Sequence, residues 1–118
     1  MTDEVDISSN GQLGRVVLNR PQAINALSRG MIEAISAALT RWRDDPAIGA
    51  GLVTGSGPKG FCSGGDVRAA RALEIGGQAE EADGYFAAEY RMNGLIATYP
   101  KPLVAISHGI TMGGGIGI

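Results

Sequence analysis

Residues 60–66 read Gly-Phe-Cys-Ser-Gly-Gly-Asp. The apolar pair Phe61-Cys62 runs into two glycines, and Asp66 is a good N-cap for a short helix through Leu73. A loop of this kind leaves backbone N–H groups free at the positive end of a helix dipole. A second stretch repeats the plan. After the apolar run Leu103-Val104-Ala105-Ile106 comes Met112-Gly113-Gly114-Gly115, which reads as another strand-to-helix turn. If both loops aim at one point, their N–H groups form an oxyanion hole, able to hold a carbonyl oxygen as negative charge develops on it. Glycine suits that task because no side chain blocks the oxygen's approach. The same residues also suit two tight turns that hold helices against a sheet, and spacing alone leaves both readings open.

Outward from these loops, the chain alternates strands and helices. Val5–Ser8 and Arg15–Asn19 read as strands joined by a turn at Asn10-Gly11. Pro21 ends the second. Met31, Ile32, Ile35, Ala38, Leu39 and Trp42 recur at helical spacing and predict a helix over Ser28–Asp44 with one apolar face. Arg41 and Arg43 suit the negative end of its dipole, and Pro46 closes it. A strand of small residues follows over Ile48–Thr54. Gly76-Gly77 stops the short helix after Asp66, and a longer helix is expected over Ala79–Thr98. Pro100 and Pro102 bracket the link to a strand at Leu103–Ser107. This order predicts an α/β fold.

Composition narrows the function. The chain has 118 residues, enough for one small domain that buries roughly two-thirds of its unfolded surface. Net charge is −2 with no basic patch, so nucleic acid and anionic membrane surfaces are not expected partners. No apolar run approaches the length that spans a membrane. Cys62 is the one cysteine, which excludes an intrachain disulfide and suggests a reducing compartment. The acidic N-terminus resembles neither a signal peptide nor an Arg-rich transit peptide, and a cytoplasmic location is expected. No metal-ligand spacing is present.

Two other glycine motifs fail on context. Gly55-x-Gly57-x-x-Gly60 matches the dinucleotide-binding fingerprint by letter, but that fingerprint needs a helix to open inside it. Here Pro58 and the Phe61–Gly65 stretch intervene. A phosphate-binding P-loop needs Gly-Lys-Ser/Thr, whereas Lys59 is followed by Gly60 and Phe61. His108, the single histidine, precedes a glycine turn and reads as structural, and Cys62 reads as a small packed residue.

Three stretches together resemble the crotonase (enoyl-CoA hydratase/isomerase) superfamily. They are Val17-Leu18-Asn19-Arg20-Pro21-Gln22-Ala23-Ile24-Asn25-Ala26-Leu27, Gly60–Arg68, and Pro102–Gly117. Gly64-Gly65-Asp66-Val67-Arg68 and the ending from His108 are most similar to the 3-hydroxyisobutyryl-CoA hydrolase branch. The resemblance implies a crotonase-like ββα spiral core. Residues 1–118 would be the N-terminal part of a single such domain, incomplete at its C-terminus.

The resemblance also implies roles. The N–H groups of Gly65 and Gly114 would be the oxyanion donors. The carbonyls of Ser63 and Val67 would meet the adenine of CoA, and the loop of Gln22 to Ala26, including Ala23 and Ala26, would flank the nucleotide. Glu89 matches an acid that contacts the acyl hydroxyl. Glu89 also stands out by pattern, because it lies mid-stripe among Ala82, Tyr85, Phe86, Met92 and Ile96, where an unpaired carboxylate is costly. It should line a polar cavity or meet an arginine. Hydratases of the superfamily carry a catalytic glutamate three residues after the second oxyanion glycine, a position held here by Gly117. That departure favours thioester hydrolysis over hydration, with an enoyl-CoA hydratase or isomerase and a non-catalytic CoA-binding segment as alternatives. The acids that complete hydrolysis would lie farther downstream. The substrate implied is an acyl-CoA thioester, most similar to that of valine breakdown. No cofactor is expected, CoA being part of the substrate. The oligomeric state stays open, a homo-oligomer being compatible with the whole protein.

Overall fold

The structure is a computed structural model that describes residues 4–65, 76–77 and 79–111. Strands β1 (Val5–Asn10) and β2 (Leu13–Leu18) form an antiparallel hairpin whose last pair is Asn10 and Leu13. Gly11, with φ of 62°, makes the turn that the Asn10-Gly11 signal predicts. After a 3-10 turn at Pro21–Ala23, helix α1 (Arg29–Arg43) crosses over to β3 (Ala50–Gly55), which runs parallel to β2. Strand β4 (Gly60–Cys62) leads into the glycine loop, and helix α2 covers Ala79–Ala97. Strand β5 (Leu103–Ala105) joins β3 in parallel, which completes a sheet of order β1-β2-β3-β5. Strand β6 (Ile110–Thr111) pairs with β4 in a separate two-stranded sheet.

Helix α1 is the centre of the packing. It touches β1, β2 and α2. Its buried residues are Met31, Ile32, Ile35, Ala38, Leu39 and Trp42, the six expected from periodicity. Ser28 caps it, with Oγ accepting from Met31 N–H at 3.2 Å. At the other end Arg41 and Arg43 lie in the last turn, but the group that hydrogen-bonds the terminal carbonyls is a distant one. Lys101 Nζ donates to Trp42 O and, at 2.7 Å, to Asp45 O. The prolines flanking Lys101 therefore deliver a cation to the negative end of α1.

Strand β2 alternates as a half-buried strand should, with Gly14, Val16 and Leu18 facing the core. Gly14 has to be glycine, because an added Cβ would stand 2.7 Å from Trp42 ring atoms.

The structure corrects four expectations. Residues 60–62 form a strand, not a loop, because Ile110–Thr111 return to pair with them. The strand after Pro102 is shorter than Leu103–Ser107, with Val104 and Ile106 more than half exposed. The strand predicted from Ile48 begins at Ala50, since Ile48 is held by a turn bond to Asp45 O. On α2 the buried stripe is Ala82, Tyr85, Ala88 and Met92, while Phe86 is 39% exposed and stacks edge-on against Tyr85. The helix expected after Asp66 lies outside the described residues. No helix among the described residues is long and apolar enough to cross a membrane.

Candidate active site

Residues 20–27 and 61–65 lie side by side, joined almost residue by residue. Ser63 N–H donates to Ile24 O at 2.8 Å, and Ser63 Oγ donates to Ala23 O at 3.0 Å. Cys62 Sγ donates to Asn25 O at 3.2 Å. Leu27 N–H donates to Gly64 O at 2.7 Å, and Leu27 and Gly65 form an isolated parallel bridge. Arg20 closes the other end of this cradle, with Nη1 donating to Ala26 O at 3.1 Å and Nε paired with Glu4 at 3.0 Å.

The cradle contains two consecutive left-handed residues, Ile24 with φ of 50° and Asn25 with φ of 53°. Asparagine tolerates that region and β-branched isoleucine does not. Each such residue costs on the order of 1–3 kcal/mol and persists only where its surroundings impose it. The side chain of Asn25 supplies part of that constraint. It is fully buried, its Oδ1 accepts from Arg20 N–H at 2.8 Å, and its Nδ2 donates to Ser56 O and Phe61 O, each at 2.9 Å.

Helix α2 brings two polar groups to the end of the glycine loop. The Tyr85 hydroxyl donates to Leu27 O at 2.6 Å. A Cβ added to Gly65 would lie 2.8 Å from that hydroxyl and 3.5 and 3.6 Å from the Glu89 carboxylate oxygens. Glycine is required at 65 for that reason. The carboxylate thus faces the open side of Gly65 that a Cβ would occupy. Glu89 is half-buried, and it makes no hydrogen bond or ion pair among the described residues. The alternative in which an arginine neutralises it finds no support there. Burial pushes the thiol of Cys62 above its ordinary value, an N–H from Gly64 opposes the shift, and the charge of Glu89 adds to it. Cys62 is therefore a packed thiol and a poor nucleophile.

Of the residues expected to form the site, Ala23, Ala26, Ser63, Gly65 and Glu89 come together around this cradle. Val67 and Gly114 lie outside the described residues. His108 is half-buried and holds Gly57 O through Nε2 at 2.8 Å, which ties the chain before β6 to the loop before β4. No cluster of three or more metal-binding side chains occurs among the described residues. Two contributors were missed in the sequence, the amide of Asn25 and the hydroxyl of Tyr85. Asn25 sits in a quoted motif, but nothing in spacing tells that its amide points inward. Tyr85 was read only as apolar stripe.

The α/β architecture, with the 61–65 glycine loop laid along residues 20–27, is that of a crotonase-type fold. The sequence pattern of the family described as Enoyl-CoA hydratase/isomerase matches residues 13–118, and the chain belongs to that family. Among its relatives, the mitochondrial 3-hydroxyisobutyryl-CoA hydrolase of Xenopus tropicalis is 44% identical over 95% of this chain and 29% of its own length. A solved enoyl-CoA hydratase from Rhodobacter sphaeroides superposes with a TM-score of 0.93 at 39% identity, covering 98% of this chain and 34% of that one. The small ribosomal subunit protein mS47 of Neurospora crassa is 41% identical over 98% of this chain and 23% of its own length. The chain thus spans about 30% of the length of the curated hydrolases it matches. The family is one of CoA-ester enzymes, and it also contains a relative named for a ribosome, so membership by itself does not establish catalysis.

These relatives overturn the expectation of a cytoplasmic protein. The 3-hydroxyisobutyryl-CoA hydrolases among them are named as mitochondrial and point to that compartment instead. A single cysteine and an acidic first segment report on redox and composition, and neither distinguishes the cytosol from another reducing compartment.

Proposed function

We propose that the whole protein hydrolyses a β-hydroxyacyl-CoA thioester, with 3-hydroxyisobutyryl-CoA of valine breakdown as substrate. The N–H groups of Gly65 and Gly114 hold the thioester oxygen as attack by water makes it negative. The Glu89 carboxylate accepts a hydrogen bond from the hydroxyl of the acyl group. The cradle around Ala23 and Ala26, with the carbonyls of Ser63 and Val67, receives the adenine end of CoA. Water adds to the carbonyl carbon, the C–S bond breaks, and the products are the hydroxy acid and CoA thiol. No resident cofactor is needed. The proposal assigns activation of the water to acids farther along the chain than the second glycine loop.

One observation carries this reading: the Glu89 carboxylate, unpaired among the described residues, stands within 3.6 Å of a Cβ position on Gly65. A charge so placed suits a hydroxylated acyl group bound at the oxyanion loop. Gly117, at the place of a hydratase glutamate, supports hydrolysis. The competing reading, hydration of an enoyl-CoA, has the Rhodobacter sphaeroides neighbour in its favour.

The test is thiol release by the whole protein. Steady release from 3-hydroxyisobutyryl-CoA is expected. Isobutyryl-CoA, which lacks the hydroxyl, should be poorer by on the order of tenfold to a hundredfold, the worth of one hydrogen bond to a charged group. Hydration of crotonyl-CoA without thiol release would overturn the assignment. Binding of CoA without either reaction would leave a non-catalytic binding protein.

A further inference from the structure

We infer that Asn25 is a positioning residue, whose side-chain amide holds the 60–65 loop so that the N–H of Gly65 meets the thioester oxygen. The inference rests on the hydrolase reading above and extends it to a residue that touches no substrate.

The three hydrogen bonds of the amide reach three separate segments. Arg20 follows β2, Ser56 follows β3, and Phe61 lies in β4. The end of β3 is shaped to permit this. A Cβ on Gly55 would lie 2.5 Å from Phe61 O and 2.9 Å from Asn25 Nδ2, so any side chain there would push amide and acceptor apart. Beyond Phe61, the next three residues are each tied to the same cradle. Cys62 bonds to Asn25 O, Ser63 to Ile24 O, and Gly64 to Leu27 N–H. Phe61, whose N–H is also held by His108 O at 2.8 Å, is where the amide grips this run, and Gly65 is its end. An oxyanion donor works only within a few tenths of an ångström of its place. A displacement near 1 Å costs roughly a hundredfold in rate.

A simpler role also fits a buried asparagine at positive φ: it could be there only because it tolerates the left-handed region. Two substitutions in the whole protein separate the roles. Asn25→Gly adopts that φ with less strain and deletes the amide. Asn25→Asp keeps the shape and the acceptor, but cannot donate to Ser56 O and Phe61 O while ionised. The expected result is that kcat for 3-hydroxyisobutyryl-CoA falls roughly a hundredfold in both, while KM rises much less. A spectroscopic signature should accompany the loss. Isobutyryl-CoA labelled with carbon-13 at its carbonyl should show a lowered carbonyl stretch when bound to the wild-type protein, because the oxyanion donors polarise the bond. In both variants the stretch should return toward its value in buffer.

If Asn25→Gly keeps wild-type kcat and carbonyl shift, the amide positions nothing and the inference fails. If both variants lose the folded state by circular dichroism, Asn25 is a folding determinant and the inference fails as well. If the wild-type protein itself shows no carbonyl shift, the oxyanion reading is wrong, which is a different failure from that of Asn25.

Discussion

Helix α1 and the 20–27 cradle meet at Ser28, yet different forces hold them. The helix is held by apolar surface: Met31, Ile32, Ile35 and Ala38 are at most 1% exposed, and Trp42 lies over Gly14. Most of its interactions would survive a rotation of a few degrees. The cradle is held by directed hydrogen bonds between main chains of two distant segments, with one buried amide between them. Apolar packing is tolerant in angle and additive in area. Hydrogen bonds are neither, and a partner left without its mate in the interior costs on the order of 1–3 kcal/mol. The molecule thus places a strained, direction-dependent loop against a tolerant support, which is what a site needing fixed N–H groups requires.

The sharpest way to break this contrast is to remove the support. Trp42→Ala should destabilise the fold by about 3–5 kcal/mol, the usual cost of deleting a large buried aromatic. Chemical unfolding measures it. Molecules that remain folded should keep their affinity for CoA, because the ring does not reach the cradle. A folded Trp42→Ala protein with weakened CoA affinity would show that the two regions are one unit.

Next in size is a change inside the cradle. Gly65→Ala puts a methyl 2.8 Å from the Tyr85 hydroxyl and should lower kcat of the whole protein roughly a hundredfold. Unfolding free energy should fall by much less than in Trp42→Ala. Tyr85→Phe removes the oxygen in the way, at the cost of the bond to Leu27 O. The double variant should therefore be less impaired than the product of the two single effects, with the coupling read from a double-mutant cycle. Strict additivity would mean that Tyr85 and Gly65 do not meet.

The same contrast explains what could be read in advance. The six buried residues of α1 and the hairpin at Asn10-Gly11 were legible because helix period and turn chemistry are local. The short strand Gly60–Cys62 was not, since three residues carry no period and its partner Ile110–Thr111 lies some fifty positions on. Lys101 as the cap of α1 was hidden for the same reason. Gly65, Ser63 and Glu89 could be singled out from motif and pattern, and they do lie together. The roles of Asn25 and Tyr85 could not, because each acts on a carbonyl that any residue could have supplied.

Alkaline pH gives a smaller effect that touches both regions. Burial raises the pKa of Cys62 above its ordinary value of 9.0 and that of Tyr99 above 10.0. For either group the unfolded chain loses its proton first. The stability each contributes is full below the unfolded value and is lost as pH rises through the folded one. Unfolding free energy should decline above about pH 9, and Cys62→Ala should remove the first part of that decline. Tyr99, whose hydroxyl donates to Leu39 O at 2.7 Å, lies on the helix side and its part should persist. A decline that Cys62→Ala leaves unchanged would refute the assignment to the cradle thiol.

The smallest expected effect lies on the exposed face of α1, where Arg29 Nε meets Glu33 at 2.9 Å one turn away. Both side chains are about half exposed, so water and salt screen the pair. Glu33→Gln should cost about 0.3–0.5 kcal/mol at low salt, and less as salt is added. A larger, salt-independent loss would mean that the guanidinium is doing something else. The candidate is its contact with α2, since Arg29 Nη1 lies 2.8 Å from where a Cβ on Gly84 would be. Glu33 would then be aiming Arg29 at the helix that carries Tyr85 and Glu89. The support and the cradle would be joined through that arginine as well as through Ser28, and Gly84→Ala should reproduce the loss.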